Sequence, residues 1–107
     1  LELSGKIIRP KLSPQVDHNA HIFYLITSNV AERNQLIQFL SKRSIKATFH
    51  YLSLHKSDFF RGKTLDNSLP NSDKYTSCLI RLPLFNQIKV QECEAVIENI
   101  QAFYKYY

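Results

Sequence analysis

Apolar and polar positions along this chain switch between two periods, and the switches mark its elements. After His21, the run Ile22-Phe23-Tyr24-Leu25-Ile26-Thr27 is aromatic and β-branched without a charged interruption, which predicts a central strand covered on both faces. Ser28 and Asn29 can cap a helix beginning just after this strand, and Glu32 lies near its positive end. A helix is therefore predicted over about residues 30 to 44, with Leu36, Ile37, Phe39 and Leu40 as its inner stripe and Lys42 and Arg43 at its C-terminal end. Residues 47–52 then alternate, placing Ala47, Phe49 and Tyr51 on one face and Thr48, His50 and Leu52 on the other, a second strand. Residues 53–72 show no clear periodicity and form a loop too long to be an idle connection in a compact domain.

Asn71 or Ser72 can cap a short helix in which Tyr75, Cys78, Leu79 and Leu82 recur at helical spacing until Pro83. Residues 81–85 read as a short extended segment that Pro83 places at a sheet edge or strand end. Cys93, Val96, Ile97, Ile100, Phe103, Tyr104 and Tyr107 step by three or four and describe an amphipathic helix over about residues 90 to 107. Residues 1–19 differ from the rest: Pro10 and Pro14 interrupt any pattern amid polar neighbours, and the stretch reads as a connector leading into one domain over 20–107. The expected fold class is α+β, a small sheet of about three strands covered by helices.

Composition narrows the possibilities. The chain has 107 residues, 44% of them hydrophobic, which suits a single globular domain rather than a disordered chain. Two glycines exclude a Gly-rich phosphate cradle and a flexible Gly/Ser linker. The longest apolar run, 22–26, is far short of the roughly 20 residues needed to cross a bilayer, and the N-terminus lacks a signal-peptide pattern, so no membrane segment is expected. Net charge is +5, and the positive excess is regional: Lys42, Arg43, Lys46, Lys56, Arg61 and Lys63 stand against Asp58 alone between 41 and 63. Such a patch suits either phosphate groups or simple solvation. Cys78 and Cys93 match neither a redox nor a zinc spacing and fall on apolar helix faces, so they are expected as reduced, buried thiols in a cytoplasmic protein.

The densest chemistry is Phe49-His50-Tyr51-Leu52-Ser53-Leu54-His55, with two imidazoles, a phenol and a hydroxyl at a strand end. His50 lies opposite Phe49 and Tyr51, and a neutral imidazole there can hydrogen-bond a sugar or phosphate oxygen or serve as a satisfied structural residue. A metal site among His18, His21, His50 and His55 is not expected, because their directions differ and neither cysteine joins them. Ser53 has a nearby histidine but no glycine-bounded turn and no obvious orienting carboxylate, which argues against a hydrolytic nucleophile. Phe59-Phe60-Arg61-Gly62-Lys63 sets aromatics beside cations as nucleic-acid stacking surfaces do, without the ordered aromatic pattern of an RNA-recognition strand.

In chain order, Asn19-Ala20-His21-Ile22-Phe23-Tyr24, Phe49 to His55, Asp73-Lys74-Tyr75-Thr76 and Arg81-Leu82-Pro83-Leu84-Phe85 resemble the C-terminal domain of the DegT-type nucleotide-sugar aminotransferases over about 18–104. Two departures stand out. Ser53 occupies the position where the family usually has proline, which loosens the expected turn. The helix before Arg81 is shorter by about four residues, close to one helical period, so its apolar face keeps register. The resemblance implies a homodimeric enzyme of fold type I that uses pyridoxal 5'-phosphate (PLP), with a large N-terminal domain holding most of the cofactor site, a nucleotide-sugar substrate and glutamate as amino donor. It implies that this chain is the small C-terminal domain of that enzyme and is inactive alone, with no catalytic residue of its own. By position in the motif, His50 is the candidate contact to substrate, while Tyr51, His55 and His21 orient it or pack against the large domain. The alternative expectation, from charge alone, is a small basic nucleic-acid-binding module.

Overall fold

The computed structural model describes residues 4–60, 63 and 68–107. Its elements are β1 (Tyr24–Ile26), α1 (Val30–Ser41), β2 (Thr48–Phe49), a 3-10 turn (Leu54–Lys56), α2 (Pro70–Cys78), β3 (Leu79–Arg81) and α3 (Val90–Tyr106). The strands form one antiparallel sheet in the order β1-β3-β2, so the expected α+β class with a small helix-covered sheet is the fold found.

The middle position belongs to β3, not to the strand before α1. Tyr24, Leu25 and Ile26 pair with Arg81, Ile80 and Leu79, while Thr48 and Phe49 pair with Arg81 and Ile80 from the other side. The apolar run that suggests a central strand finds its outer neighbour elsewhere: the amide and carbonyl of Ile8 exchange hydrogen bonds of 3.0 and 2.9 Å with Ile26. The N-terminal stretch therefore adds a bridge to the sheet, and Ile7 adds a side chain to the core.

Local chemistry sets the remaining boundaries. Asn29 caps α1 by accepting the Glu32 amide at 2.9 Å. The helix stops at Ser41 rather than running to 44, because Ser44 takes a left-handed φ of 60° and the Ile45 amide returns to the Leu40 carbonyl at 3.0 Å. Pro70 occupies the first turn of α2, so Asn71 and Ser72 lie inside the helix instead of capping it. α2 ends at Cys78 and the chain enters β3 directly; Leu79, expected on the helix face, is a buried strand residue, and the strand expected over 81–85 starts at Leu79. Ladder bonds to strands on both sides outweigh the short stretch of helical spacing. β2 pairs over two residues only, which leaves Phe49 half exposed and Tyr51 78% exposed rather than on an inner face. Of the two free thiols, Cys78 is buried as expected, but Cys93 is exposed, since α3 turns its Ile100–Tyr104 side inward.

The core joins Ile7, Leu25, Leu36, Leu40, Ile80, Ile100, Phe103 and Tyr104. Leu36, Leu40 and Ile80 are fully buried, each contributing on the order of 1.5–3 kcal/mol by leaving water. Phe39 meets Phe103 edge-on at 5.4 Å, locking α1 against α3. Glu32, also buried, accepts the Tyr104 hydroxyl on one oxygen and the Ser28 amide on the other at 3.2 Å, so its carboxylate is satisfied. Burial, and then the Glu32 carboxylate, push the Tyr104 phenol well above its usual range.

Leu36→Ala is expected to lower unfolding free energy by about 2–5 kcal/mol in a urea titration, because this fully enclosed site leaves a cavity. The folded chain holds the Tyr104 proton more tightly than the unfolded chain does. That part of the stability is fully present below about pH 10 and is lost as pH rises beyond it. Urea midpoints measured across this range should fall more steeply for the wild type than for Tyr104→Phe.

Candidate functional site

β2 leaves the ladder after Phe49, and the chain runs on through His50, Tyr51 and Leu52 without strand partners. These residues, with Thr48, Phe49 and Arg81, line an open cavity of about 340 Å³. The rings of His50 and Tyr51 lie 4.4 Å apart between centroids. His50 Nδ1 is buried and has no hydrogen-bond partner, a costly state for a polar atom unless something supplies one. Arg33 borders this region, with its guanidinium 5.7 Å from the Phe49 ring centroid and one N–H donating to the Thr76 carbonyl at 2.9 Å.

Behind the cavity, one oxygen gathers the segment leaving β2. Asp73 Oδ1, in the first turn of α2, accepts from Ser53 Oγ at 3.0 Å and from Lys56 Nζ at 2.9 Å. His55 Nε2 lies 3.3 Å from the same oxygen, within reach of its charge but without hydrogen-bond geometry. Ser53 Oγ also meets Thr76 Oγ1 at 2.7 Å, and Thr76 Oγ1 reaches the Tyr51 carbonyl at 3.4 Å. The hydrogen bond from Lys56 outweighs the opposing effect of burial and, with the Ser53 bond, holds the Asp73 carboxyl below its usual range. Ser53 has φ −61°, the angle a proline ring would impose, so this position keeps a proline-like backbone and ties the turn through its hydroxyl.

A second cavity, about 370 Å³, lies on the β1 side of the sheet, where Leu12, Phe23, Leu82, Ile88, Val96 and Ile97 line an apolar groove. Cys93 borders it.

Of the candidate residues, His50 and Tyr51 share the β2 cavity, and His55 is buried one turn behind them against Asp73. His21 stands exposed ahead of β1, across β3 from the others, and lines neither cavity. Asp73, Thr76 and Arg81 belong to the family-like motifs, yet the sequence assigns them no role; the one signal it carries is a lone charge inside the apolar run Leu79-Ile80-Arg81-Leu82. Lys63 sits 3.8 Å from the Phe59 ring centroid, while Arg61 and Gly62 lie outside the described residues. Among the described residues, no group of three or more His, Cys, Asp or Glu is placed to hold a metal, and no helix is long and apolar enough to cross a membrane.

These residues do not by themselves fit PLP. The cofactor needs a lysine for its Schiff base, and neither cavity is lined by one, while Lys56 and Lys6 are engaged by Asp73 and the Tyr104 carbonyl. No chemical step through the cofactor is assigned to this chain.

A family model described as the DegT/DnrJ/EryC1/StrS aminotransferase family matches residues 2–101. The chain is 28% identical over 103 residues to the pleiotropic regulatory protein of Geobacillus stearothermophilus, covering 94% of this chain and 27% of that one. It is 26% identical over 88 residues to the dTDP-3-amino-3,6-dideoxy-alpha-D-galactopyranose transaminase of Aneurinibacillus thermoaerophilus, covering 81% of this chain and 24% of that protein. The solved structure of NtdA from Bacillus subtilis with bound cofactor PMP matches with a TM-score of 0.80 at 21% identity, covering 97% of this chain and 24% of the other. The chain spans roughly a quarter of the length of the curated relatives it matches. A nucleic-acid-binding module is not favoured by these matches.

Because the folded-state Asp73 carboxyl is held low, its contribution to stability is present above about pH 4, the unfolded value, and is lost as pH falls through the lower folded one. Asp73→Asn should therefore flatten the acid limb of a stability-against-pH curve measured by urea midpoints, with little change in slope above neutral pH. An unaltered acid limb would show that the Asp73 contacts contribute nothing.

Proposed function

We propose, from the premise that this chain belongs to the DegT/DnrJ/EryC1/StrS aminotransferase family, that it forms the small domain flanking the substrate cleft of a PLP-dependent transaminase acting on a nucleotide-linked 4-oxo-6-deoxy sugar. In this reading residues 1–19 connect to a large N-terminal domain and 20–107 make one wall of the cleft. The enzyme is a cytoplasmic homodimer, and glutamate is the amino donor. When bound, PLP supplies the electron sink for moving the amino group, and it is held outside this chain.

The observation that carries the reading is the pairing of the His50 and Tyr51 rings in the open cavity at the end of β2, where an imidazole and a phenol both offer hydrogen bonds to a substrate. Tyr51, 78% exposed, offers a ring face and a hydroxyl to a sugar or base. His55 supports the pair from behind through Asp73, and His21 faces the large domain. This chain's part is to bind, orient and exclude water, which acts on rate through position rather than proton transfer.

Within the family, the four motifs most resemble those of enzymes that make dTDP-4-amino-4,6-dideoxygalactose for enterobacterial common antigen, a pathway allied to lipopolysaccharide synthesis. The Aneurinibacillus relative is named for an amino group at carbon 3. The position of the new amino group is therefore the property to read in the product, by NMR of the aminated sugar. In the full-length enzyme, His50→Ala should lower turnover of the oxo-sugar about tenfold or more while leaving the cofactor absorbance band intact. Unchanged kinetics would remove His50 from the site.

A further inference from the structure

Arg81 lies at the end of the middle strand, with Tyr24 and Thr48 opposite it on the two neighbouring strands. Side chains alternate along a strand, so Arg81 points to the face opposite Ile80, which is fully buried in the core. Arg81 is half-buried, lines the β2 cavity, and makes no ion pair or side-chain hydrogen bond with any described residue. Arg33 and Arg43 behave differently, donating to the carbonyls of Thr76 and Phe39. Among the described residues, the two buried or half-buried carboxylates have other partners: Asp73 has Ser53 and Lys56, and Glu32 has Tyr104 and Ser28.

The same cavity thus holds the five donors of a guanidinium fork beside the ring of His50, whose Nδ1 is buried without a partner. Phe49 and Leu52 supply apolar walls, and the positive Arg33 borders the Phe49 side. An unpaired guanidinium in a half-buried residue gains most when a planar or tetrahedral oxyanion meets its fork with two oxygens. A neutral sugar hydroxyl leaves the charge uncompensated, and an ammonium group is repelled.

We propose that Arg81 and His50 form an oxyanion-binding subsite at the end of β2, in which the Arg81 fork takes two oxygens of a phosphate or carboxylate and His50 bonds a third polar atom of the same ligand. The reading of the chain as a transaminase domain enters only in the source of the oxyanion, which is either the diphosphate of the nucleotide sugar or a carboxylate of the amino donor.

The test is calorimetric titration of the full-length holoenzyme with inorganic pyrophosphate and, separately, with L-glutamate. Saturable binding of either, weakened about tenfold or more in Arg81→Gln with an unchanged thermal midpoint, supports the subsite. Tighter pyrophosphate binding assigns the diphosphate, and tighter glutamate binding assigns the donor. Binding of neither ligand, or equal affinity in Arg81→Gln, overturns the proposal. Should that variant fail to fold, the wild type is treated with phenylglyoxal and Arg81 modification is read by mass spectrometry. Protection by the bound anion supports the subsite, and full modification in its presence overturns it. Anion binding is scored without turnover, so loss of the transaminase reading and loss of the subsite are separate results.

Discussion

Ile80 is enclosed on every side because β3 is flanked by a strand on each edge and by helices over one face, and this enclosure is the constraint on which the other positions depend. A strand of three residues, Leu79–Arg81, has little ladder of its own to set its register. The fully buried Ile80 side chain sets it: slipping the strand by one residue would drive Arg81 into the core beside Leu25 and Leu36. The same alternation that buries Ile80 turns Arg81 to the opposite face, where it lines the cavity that His50 also lines, so packing in the core fixes geometry in the cavity.

Two polar ties hold the helices to this sheet at chosen points. Glu32 and Tyr104 join α1 to α3 inside the core, where a carboxylate is tolerable only because both of its oxygens have donors. Asp73 joins α2 to the segment leaving β2, and it does so at a partly exposed site where charge is cheap to keep. The first tie specifies how two helices meet. The second determines where His50 and Tyr51 stand, since it anchors residues 53–56 immediately after them. Ser53 shows how such an anchor is exchanged: proline fixes φ through its ring, whereas serine here reaches nearly the same φ and adds bonds to Asp73 and Thr76.

Legibility in the sequence tracks the length of each pattern. The helices over 30–41 and 90–106 are readable because several turns of apolar spacing reinforce one another, and an inner stripe of Leu36 and Leu40 is difficult to mistake. The strands are not bounded correctly by pattern alone, because two or three residues cannot display a period; Leu79 satisfies a helical spacing and a strand equally until pairing with β1 and β2 decides between them. Strand order is hidden for a related reason, since the outer partner of β1 is a single bridge from Ile8 in a stretch whose prolines mask it. In the candidate site, His50 and Tyr51 are visible as part of a dense run of functional groups. Asp73 and Arg81 are not, because their significance lies in what they approach across 20 or more residues, as in the bond from Ser53 to Asp73.

The two cavities differ in the chemistry of their linings, and so in what each can do. On the β1 side the groove is apolar, with Phe23 and Ile97 about half exposed, and apolar area of this kind drives association without dictating orientation. On the β2 side the lining is mixed and leaves charge and hydrogen-bonding capacity unspent, which drives little association but strongly discriminates among ligands. β3 separates them, so each can change with little disturbance of the other.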